Sequence, residues 1–239
     1  MPPPPALPAR YKFDSSVDAW DGQKITSGVP DKFCEITDTW DIHAWNTYEG
    51  YTAVPVGLYK AHVPYGGLIH RIKMNFSIDS LPYWPPGDDY MDDYSDWSGI
   101  LSLAVQPVSA DPSDYWGDLI ELCIYGNGYL GYYDDEIIST NRITINTTYA
   151  IEMYVTHKDS LTLHTHVQVY VDGDLWVEWD MPAGDYYDGD PNIHKNCKIY
   201  VGIPESLNGP FHHGDVTMHV EDVVWTIEGP VVGWTMMAP

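Results

Sequence analysis

The segment from His164 to Trp179 constrains the fold of this chain most, because polar and apolar residues alternate on both sides of an Asp-Gly pair. Alternation with a period of two is typical of a β-strand that buries one face. An Asp-Gly pair between two such runs predicts a hairpin, since a type I′ turn needs positive φ at both central residues. We therefore predict two antiparallel strands joined at Asp172-Gly173.

Other segments repeat this pattern. A second hairpin is predicted at Glu121–Tyr133, where Gly126-Asn127-Gly128 separates two β-rich runs. No stretch long enough for an average helix shows apolar residues at helical spacing, so helices should be few and short. Further strands are predicted at 33–40, 67–78, 98–106, 149–157, 197–203 and 216–227. The expected fold is all-β, a sandwich of two packed antiparallel sheets with long loops.

The 239 residues suit one domain with two flanking segments. Met1–Arg10 is rich in proline, which predicts an extended arm. Residues 11–228 are expected to form the single sandwich domain. Residues 229–239 form an apolar tail after the last predicted strand. The first ten residues lack the basic and apolar regions of a signal peptide, and no apolar run approaches the length of a membrane span.

The charge of the chain excludes some classes of partner. It has 35 Asp and Glu against 11 Lys and Arg, a net charge of −24. Nucleic acid and anionic membrane surfaces both select for basic proteins, so neither is expected as a partner. Asp is more frequent than Glu, which favours strands joined by turns over helices.

Four segments occur in an order that resembles a known superfamily. They are Gly128–Tyr132, Thr148–Val155, Val169–Gly173 and Val220–Trp225. This order is similar to the concanavalin A-like lectin/glucanase superfamily, in particular its laminin-G-like jelly rolls. The resemblance covers about residues 120–227 and implies a jelly-roll sandwich. The superfamily includes lectins, carbohydrate-binding modules, glycosidases, adhesion domains and phage particle proteins, so the fold alone does not choose a function.

No catalytic motif is apparent in the sequence. The Glu-x-Asp-x-Glu strand of the superfamily's glucanases is missing, and retaining hydrolysis needs two carboxylates about 5 Å apart. Asp118 and Glu121 have the wrong spacing to share one strand face. Glu152 and Glu178 could converge from different strands, but exposed strand faces explain them more simply. We therefore expect no enzyme activity.

One long loop combines aromatic and acidic residues. Its candidate contacts for a glycan or a protein partner are Tyr83, Trp84, Tyr90, Tyr94 and Trp97. Its candidate calcium ligands are Asp88, Asp89, Asp92, Asp93 and Asp96, because calcium prefers several carboxylate oxygens in loops. Neither set matches a defined motif, so an acidic loop without an ion remains the alternative, and no other cofactor is expected.

Two kinds of function fit these observations. The first is a non-enzymatic structural or adhesive subunit of a larger assembly, such as a virion decoration, tail or fibre protein with a lectin-like domain. It would contact other protein subunits, as a homo-oligomer, at the virion or extracellular surface. The alternative is a secreted carbohydrate-binding module or carbohydrate-active enzyme, which the superfamily and the aromatic loop favour.

Overall fold

The structure is a computed structural model that describes twelve ranges of the chain: 9–13, 22–25, 33–36, 40–44, 56–64, 69–81, 97–107, 118–132, 138–157, 165–181, 194–203 and 216–228. Side chains are described at 69–81, 99–103, 120–132, 138–156, 166–180, 199–202 and 217–228. The regular structure in these ranges is all β-strand, in two antiparallel sheets, as predicted. The described ranges contain no helix long and apolar enough to cross a membrane.

The first sheet contains eight strands. They are β1 (Ala9–Phe13), β3 (Phe33–Ile36), β4 (Trp40–Ala44), β6 (Ile69–Ile78), β11 (Tyr149–His157), β12 (Thr165–Val171), β13 (Asp174–Met181) and β15 (Val216–Glu228). Their order is β13-β12-β11-β6-β15-β4-β3, and β1 pairs with the second half of β15. Strands β6 and β11 therefore lie at the centre of this sheet.

The second sheet contains seven strands. They are β2 (Gly22–Ile25), β5 (Val56–Pro64), β7 (Trp97–Pro107), β8 (Asp118–Tyr125), β9 (Tyr129–Gly131), β10 (Ile138–Arg142) and β14 (His194–Ile203). Their order is β10-β9-β8-β7-β14-β5-β2, which makes β7 the central strand. Consecutive strands are often separated in space or assigned to different sheets, as in a jelly roll.

Both predicted hairpins are present. Asp172 and Gly173 join β12 to β13 with φ values of 52° and 91°, as the type I′ turn requires. The Asp172 side chain accepts a 2.9 Å hydrogen bond from the Ala150 amide, which ties this turn to the start of β11. The second hairpin joins β8 to β9, and Gly128 there has a φ of 85°.

The core lies between the two sheets. In β6 the residues Ile72, Met74, Phe76 and Ile78 are buried, and the residues between them are more exposed. The same alternation in β11, β12 and β13 places Val and Ile side chains inward. Trp225 of β15 is the largest fully buried side chain among the described residues.

A β-bulge in β15 reverses which residues face the core. Glu221 pairs with Asn75 and Val224 pairs with Lys73, so β15 has one more residue than β6 in this interval. Asp222 occupies the bulge with a φ of 52°. Even-numbered residues are buried before the bulge and odd-numbered ones after it. The bulge therefore turns Val224 outward.

The sequence prediction differs from the structure in three places. The strand predicted at 33–40 is the antiparallel pair β3 and β4, separated by the polar, turn-favouring segment Thr37-Asp38-Thr39. The strands β1, β2, β5 and β10 were not predicted. Ala9 and Arg10, at the end of the proposed arm, belong to β1 and pair with Ile227 and Thr226.

Candidate functional site

The second sheet has one apolar face and one mixed face. In β8, Ile120, Leu122 and Ile124 belong to the core between the sheets. Glu121 and Cys123 alternate with them and therefore point away from that core. In the same way Ser102 of β7 lies between the core residues Leu101 and Leu103, and Tyr200 of β14 lies between Ile199 and Val201. We call the outward set the recessed face, and its members are Ser102, Glu121, Cys123, Tyr125 and Tyr200.

Strand register aligns three of these residues across the sheet. Tyr200 of β14 pairs with Ser102 of β7, and Ser102 pairs with Glu121 of β8. Neighbouring strands are about 4.8 Å apart, so the backbones of Glu121 and Tyr200 are separated by about 10 Å. A hydroxyl, a carboxyl and a phenol are thus placed in one row across three strands.

The recessed face is buried although it points away from the core. Glu121 is 4% exposed, and Ser102 and Tyr200 are at most 1% exposed. Neither Oε1 of Glu121 nor Oγ of Ser102 has a hydrogen-bond partner among the described residues. Buried polar atoms are usually hydrogen-bonded, so these two unpaired oxygens make the row a candidate for binding a water, an ion or a ligand.

Burial determines the protonation state of Glu121. Removal from water disfavours the carboxylate and raises the pKa of Glu121 to about 8. The side chain is therefore a neutral carboxylic acid at pH 7, with one O–H to donate. A carboxylic acid held neutral in this way can donate a hydrogen bond to an anion that forms during a reaction.

Cys123 and Tyr125 follow Glu121 on the same face of β8. Burial, and next the charge that Glu121 carries once it is ionised, raise the pKa of the Cys123 thiol well above its ordinary value. A thiol in this state is a poor nucleophile at neutral pH. The Tyr125 hydroxyl donates a hydrogen bond to the carbonyl of Tyr132, which holds the end of β8 against β9.

The outer face of the first sheet is also polar, but it is more open. Glu152 accepts hydrogen bonds from Arg71 and from the Tyr154 hydroxyl, the latter at 3.1 Å, and its Oε1 lies 2.8 Å from Nζ of Lys73. Burial alone would raise the pKa of Glu152, but hydrogen bonds from Lys73 and Arg71 outweigh it and lower the pKa. Glu152 is therefore an ion-paired carboxylate and not a solvated one, which corrects the prediction for this residue.

Glu178, the acid that was considered together with Glu152, lies elsewhere on this sheet. Glu178 is about half exposed and accepts a 3.2 Å hydrogen bond from Gln168, its register partner on β12. Since Glu152 pairs with Tyr170 on that strand, the two glutamates occupy different rows. They do not form a pair of facing carboxylates. His166 lies 2.7 Å from Asp180, and the described residues contain no group of three metal-ligating side chains.

The aromatic and acidic loop residues named from the sequence fall outside the described residues. This holds for Tyr83, Trp84, Tyr90 and Tyr94 and for the five candidate calcium ligands at 88, 89, 92, 93 and 96. Trp97 begins β7, but its side chain is not described. The proposals of a glycan or protein contact and of a calcium site there stay predictions.

Comparison with known proteins gives structural similarity alone. No protein-family model and no curated protein sequence matches the chain. A variant of alginate lyase Aly36B in complex with an alginate trisaccharide is similar, with a TM-score of 0.57, 12% identity and coverage of 93% of this chain and 99% of that one. A second Aly36B variant, bound to a tetrasaccharide, has a TM-score of 0.55 and 14% identity, with 95% and 100% coverage. An endo-β-1,4-glucuronan lyase from the fungus Trichoderma reesei has a TM-score of 0.51 and 10% identity, with 91% and 94% coverage.

These similarities establish the fold and correct the predicted function. The chain has the two-sheet antiparallel β-sandwich fold of these structures, as predicted. The prediction of a non-enzymatic structural or adhesive subunit, such as a virion decoration, tail or fibre protein, is wrong. So is the prediction that the chain is not an enzyme. Both are overturned because the similar structures named above, which match over nine-tenths of both chains, are polysaccharide lyases.

Glu121 was considered from the sequence only as half of a carboxylate pair with Asp118. The missed signal is its neighbourhood, Leu119-Ile120-Glu121-Leu122-Cys123-Ile124, in which one acid interrupts an apolar run. A strand that is apolar at consecutive positions is buried on both faces. A single carboxyl group in such a strand must be buried too, and a buried carboxyl group is a candidate functional group.

Proposed function

We propose that this chain is a carbohydrate-active enzyme that cleaves a uronate-containing polysaccharide by β-elimination, with its active site on the recessed face. The similar structures named above are lyases of alginate and of β-1,4-glucuronan, both polymers of uronic acids. Their identity to this chain is low, so the proposal depends on the residues present here. The observation that carries it is the neutral, buried carboxyl group of Glu121, aligned with Ser102 and Tyr200.

β-Elimination requires a protein to supply three functions, which are a base, a proton for the departing oxygen and stabilisation of the negative charge. A base removes the proton from the carbon next to the uronate carboxylate, and the electron pair forms a carbon–carbon double bond. The glycosidic carbon–oxygen bond at the next carbon then breaks, and the departing oxygen takes a proton. While the first proton leaves, negative charge builds on the carboxylate, so a hydrogen-bond donor there lowers the barrier.

Glu121 is suited to the last of these tasks. Its O–H can hydrogen-bond to the substrate carboxylate and withdraw charge as the enolate forms, in the way a neutral acid stabilises other enolates. A recessed, low-dielectric position strengthens this hydrogen bond. Ser102, which lies next to Glu121 in register, adds a second hydroxyl donor. Tyr200 is assigned the proton transfer, because a phenol can accept and donate a proton.

Product analysis tests this proposal. Alginate, a polyglucuronate and a neutral β-glucan would each be incubated with the protein, and both ultraviolet absorbance and reducing ends would be measured. Elimination leaves a double bond conjugated with the carboxylate, so absorbance and reducing ends should rise together on a polyuronate. Tyr200→Phe should lower kcat by a factor of about 100 or more, the scale of acid–base catalysis. Tyr149→Phe, which removes a hydroxyl group on the other sheet, is the matched control and should not change kcat.

Hydrolysis is a second candidate, favoured by the same residue. A glutamic acid with a pKa raised to about 8 would also serve as the general acid of a glycosidase, together with a second carboxylate. Reducing ends without ultraviolet absorbance would select hydrolysis and overturn elimination. Cleavage that survives both Glu121→Gln and Tyr200→Phe would remove the recessed face from either role.

A further inference from the structure

The outer face of the first sheet presents two parallel rows of side chains that cross the strands. The first row follows the register Val224–Lys73–Glu152–Tyr170 across β15, β6, β11 and β12. The second row follows Thr226–Arg71–Tyr154–Gln168 over the same strands. Because four strands span three intervals of about 4.8 Å, each row is about 14 Å long.

Two open grooves lie along these rows. One has a volume of about 370 Å³ and is lined by Glu152, Tyr154, Gln168, Tyr170 and Gly173. The other has a volume of about 340 Å³ and is lined by Arg71, Lys73, Val224 and Thr226. The ion pairs of Glu152 with Arg71 and Lys73 connect the two grooves at the boundary between β11 and β6. A ligand that fills both must therefore be extended and must cross this cationic boundary.

The chemistry of the boundary selects an anion. Arg71 and Lys73 carry two positive charges, and both contact Oε1 of a single carboxylate, Glu152. These three groups therefore have a net charge of +1 in a protein whose net charge is −24. The side chains of Arg71 and Lys73 are 33% and 46% exposed, so their remaining N–H groups are accessible. Further donors to such an anion would form charge-assisted hydrogen bonds.

The first groove adds surfaces that suit a sugar ring. Tyr154 and Tyr170 pack edge to face with their centroids 5.6 Å apart, which fixes both rings. Arg71 lies 5.2 Å from the centre of the Tyr154 ring and is held there as well. Gln168 contributes an amide beside the phenols. Aromatic surface with a few fixed polar groups is the usual composition of a carbohydrate site.

We propose that this face is a second, non-catalytic binding surface for a uronate-bearing stretch of the polysaccharide. It rests on the proposed function for the identity of the polymer. The recessed face belongs to the other sheet and points away from the core in the opposite direction, so one sugar unit cannot contact both surfaces. A long chain bound at the second surface stays attached to the protein while other stretches of it reach the active site.

A charge-matched pair of variants tests this. The triple variant Arg71→Gln, Lys73→Gln, Glu152→Gln removes the ion-paired cluster without leaving Glu152 unpaired, and it changes the net charge by −1. Arg142→Gln also changes the net charge by −1 but alters a cation stacked on Tyr129 at the edge of the second sheet. Circular dichroism would confirm that both fold. Titration calorimetry would then measure binding of a tetrasaccharide of 1,4-linked hexuronates.

The wild type should bind two tetrasaccharides per chain, and the triple variant should bind one. Its apparent affinity for the long polymer should fall about tenfold or more, with kcat on the tetrasaccharide unchanged, while Arg142→Gln should behave as the wild type. One site in the wild type, or unchanged polymer affinity in the triple variant, would overturn the inference. If no polyuronate is cleaved but the triple variant still loses a bound tetrasaccharide, the proposed function fails and the binding surface stands.

Discussion

Replacing Glu121 by Gln should change how the stability of this protein depends on pH. In the unfolded chain this carboxyl group has its ordinary pKa of 4.5, and in the folded protein burial raises the pKa to about 8. Between these values the folded state holds a proton that the unfolded state releases. The stabilising contribution is therefore fully present below pH 4.5 and is lost as the pH rises through 8.

His70 has the opposite dependence. Burial lowers the pKa of His70 from 6.5 to about 3, so its stabilising contribution is present above pH 6.5 and is lost as the pH falls towards 3. Between pH 4.5 and 6.5 the free energy of unfolding falls with pH through Glu121 and rises with pH through His70, so the two contributions cancel. Above pH 6.5 only the fall due to Glu121 remains. One pKa unit corresponds to about 1.4 kcal/mol, so from pH 6.5 to 8 the wild type should lose about 2 kcal/mol of unfolding free energy through this group.

Urea unfolding followed by tryptophan fluorescence would measure this slope in the wild type and in Glu121→Gln. The amide has nearly the same shape and does not titrate, so any constant cost of the substitution cancels when the two pH dependences are subtracted. The variant should lack the loss above pH 6.5. Parallel curves for the two proteins would show that Glu121 is ionised in the folded state, and its assignment as a neutral hydrogen-bond donor would be refuted.

Three further predictions concern the turns, the core and the charge. Gly173→Ala should lower the free energy of unfolding, measured in urea, by about 1 kcal/mol because Gly173 has a positive φ. Gly128→Ala should lower it at least twice as much, because its Cβ would lie 2.9 Å from the Ile143 carbonyl oxygen. Equal losses for the two variants would contradict this prediction. Trp225→Phe should lower the free energy of unfolding by about 1–3 kcal/mol, because Nε1 of the buried Trp225 donates a 3.2 Å hydrogen bond to His70. The same substitution at the half-buried Trp176 should lower it far less. If the substrate is a polyanion, moderate salt should raise kcat/KM, because salt screens the repulsion between the substrate and the negatively charged protein. A fall in kcat/KM over the same salt range would argue against a polyanionic substrate.

The sequence predicted the parts of the fold that depend on neighbours in the chain. The turn at Asp172-Gly173 was predictable because turn type and strand alternation are both local. The strands β1, β2 and β10 are short, and the last contains Asn141 and Arg142, so their patterns are too brief to detect. The bulge at Asp222 breaks the alternation of β15, which made its two faces ambiguous in the sequence.

The candidate site depends on contacts that no local pattern encodes. Tyr200, Ser102 and Glu121 become neighbours only through the register of β14, β7 and β8, and β14 is far from the other two in the chain. Spacing rules for catalytic carboxylates describe pairs of acids, whereas the recessed face combines different chemical groups from three strands. The charged cluster on the outer face of the first sheet also depends on strand register, because the pairing of β11 with β6 brings Glu152 next to Arg71 and Lys73.

The negative charge of the chain and a polyanionic substrate are compatible on physical grounds. Net charge controls long-range approach, and at physiological salt that influence is screened within about 8–10 Å. Recognition then depends on the groups that the substrate contacts. On the recessed face the acid is neutral at pH 7, so it adds no repulsion where the uronate would lie. On the opposite sheet Arg71 and Lys73 outnumber the one carboxylate they contact. The net charge of −24 therefore permits a uronate to bind at a site where the protein has neutralised its own charge.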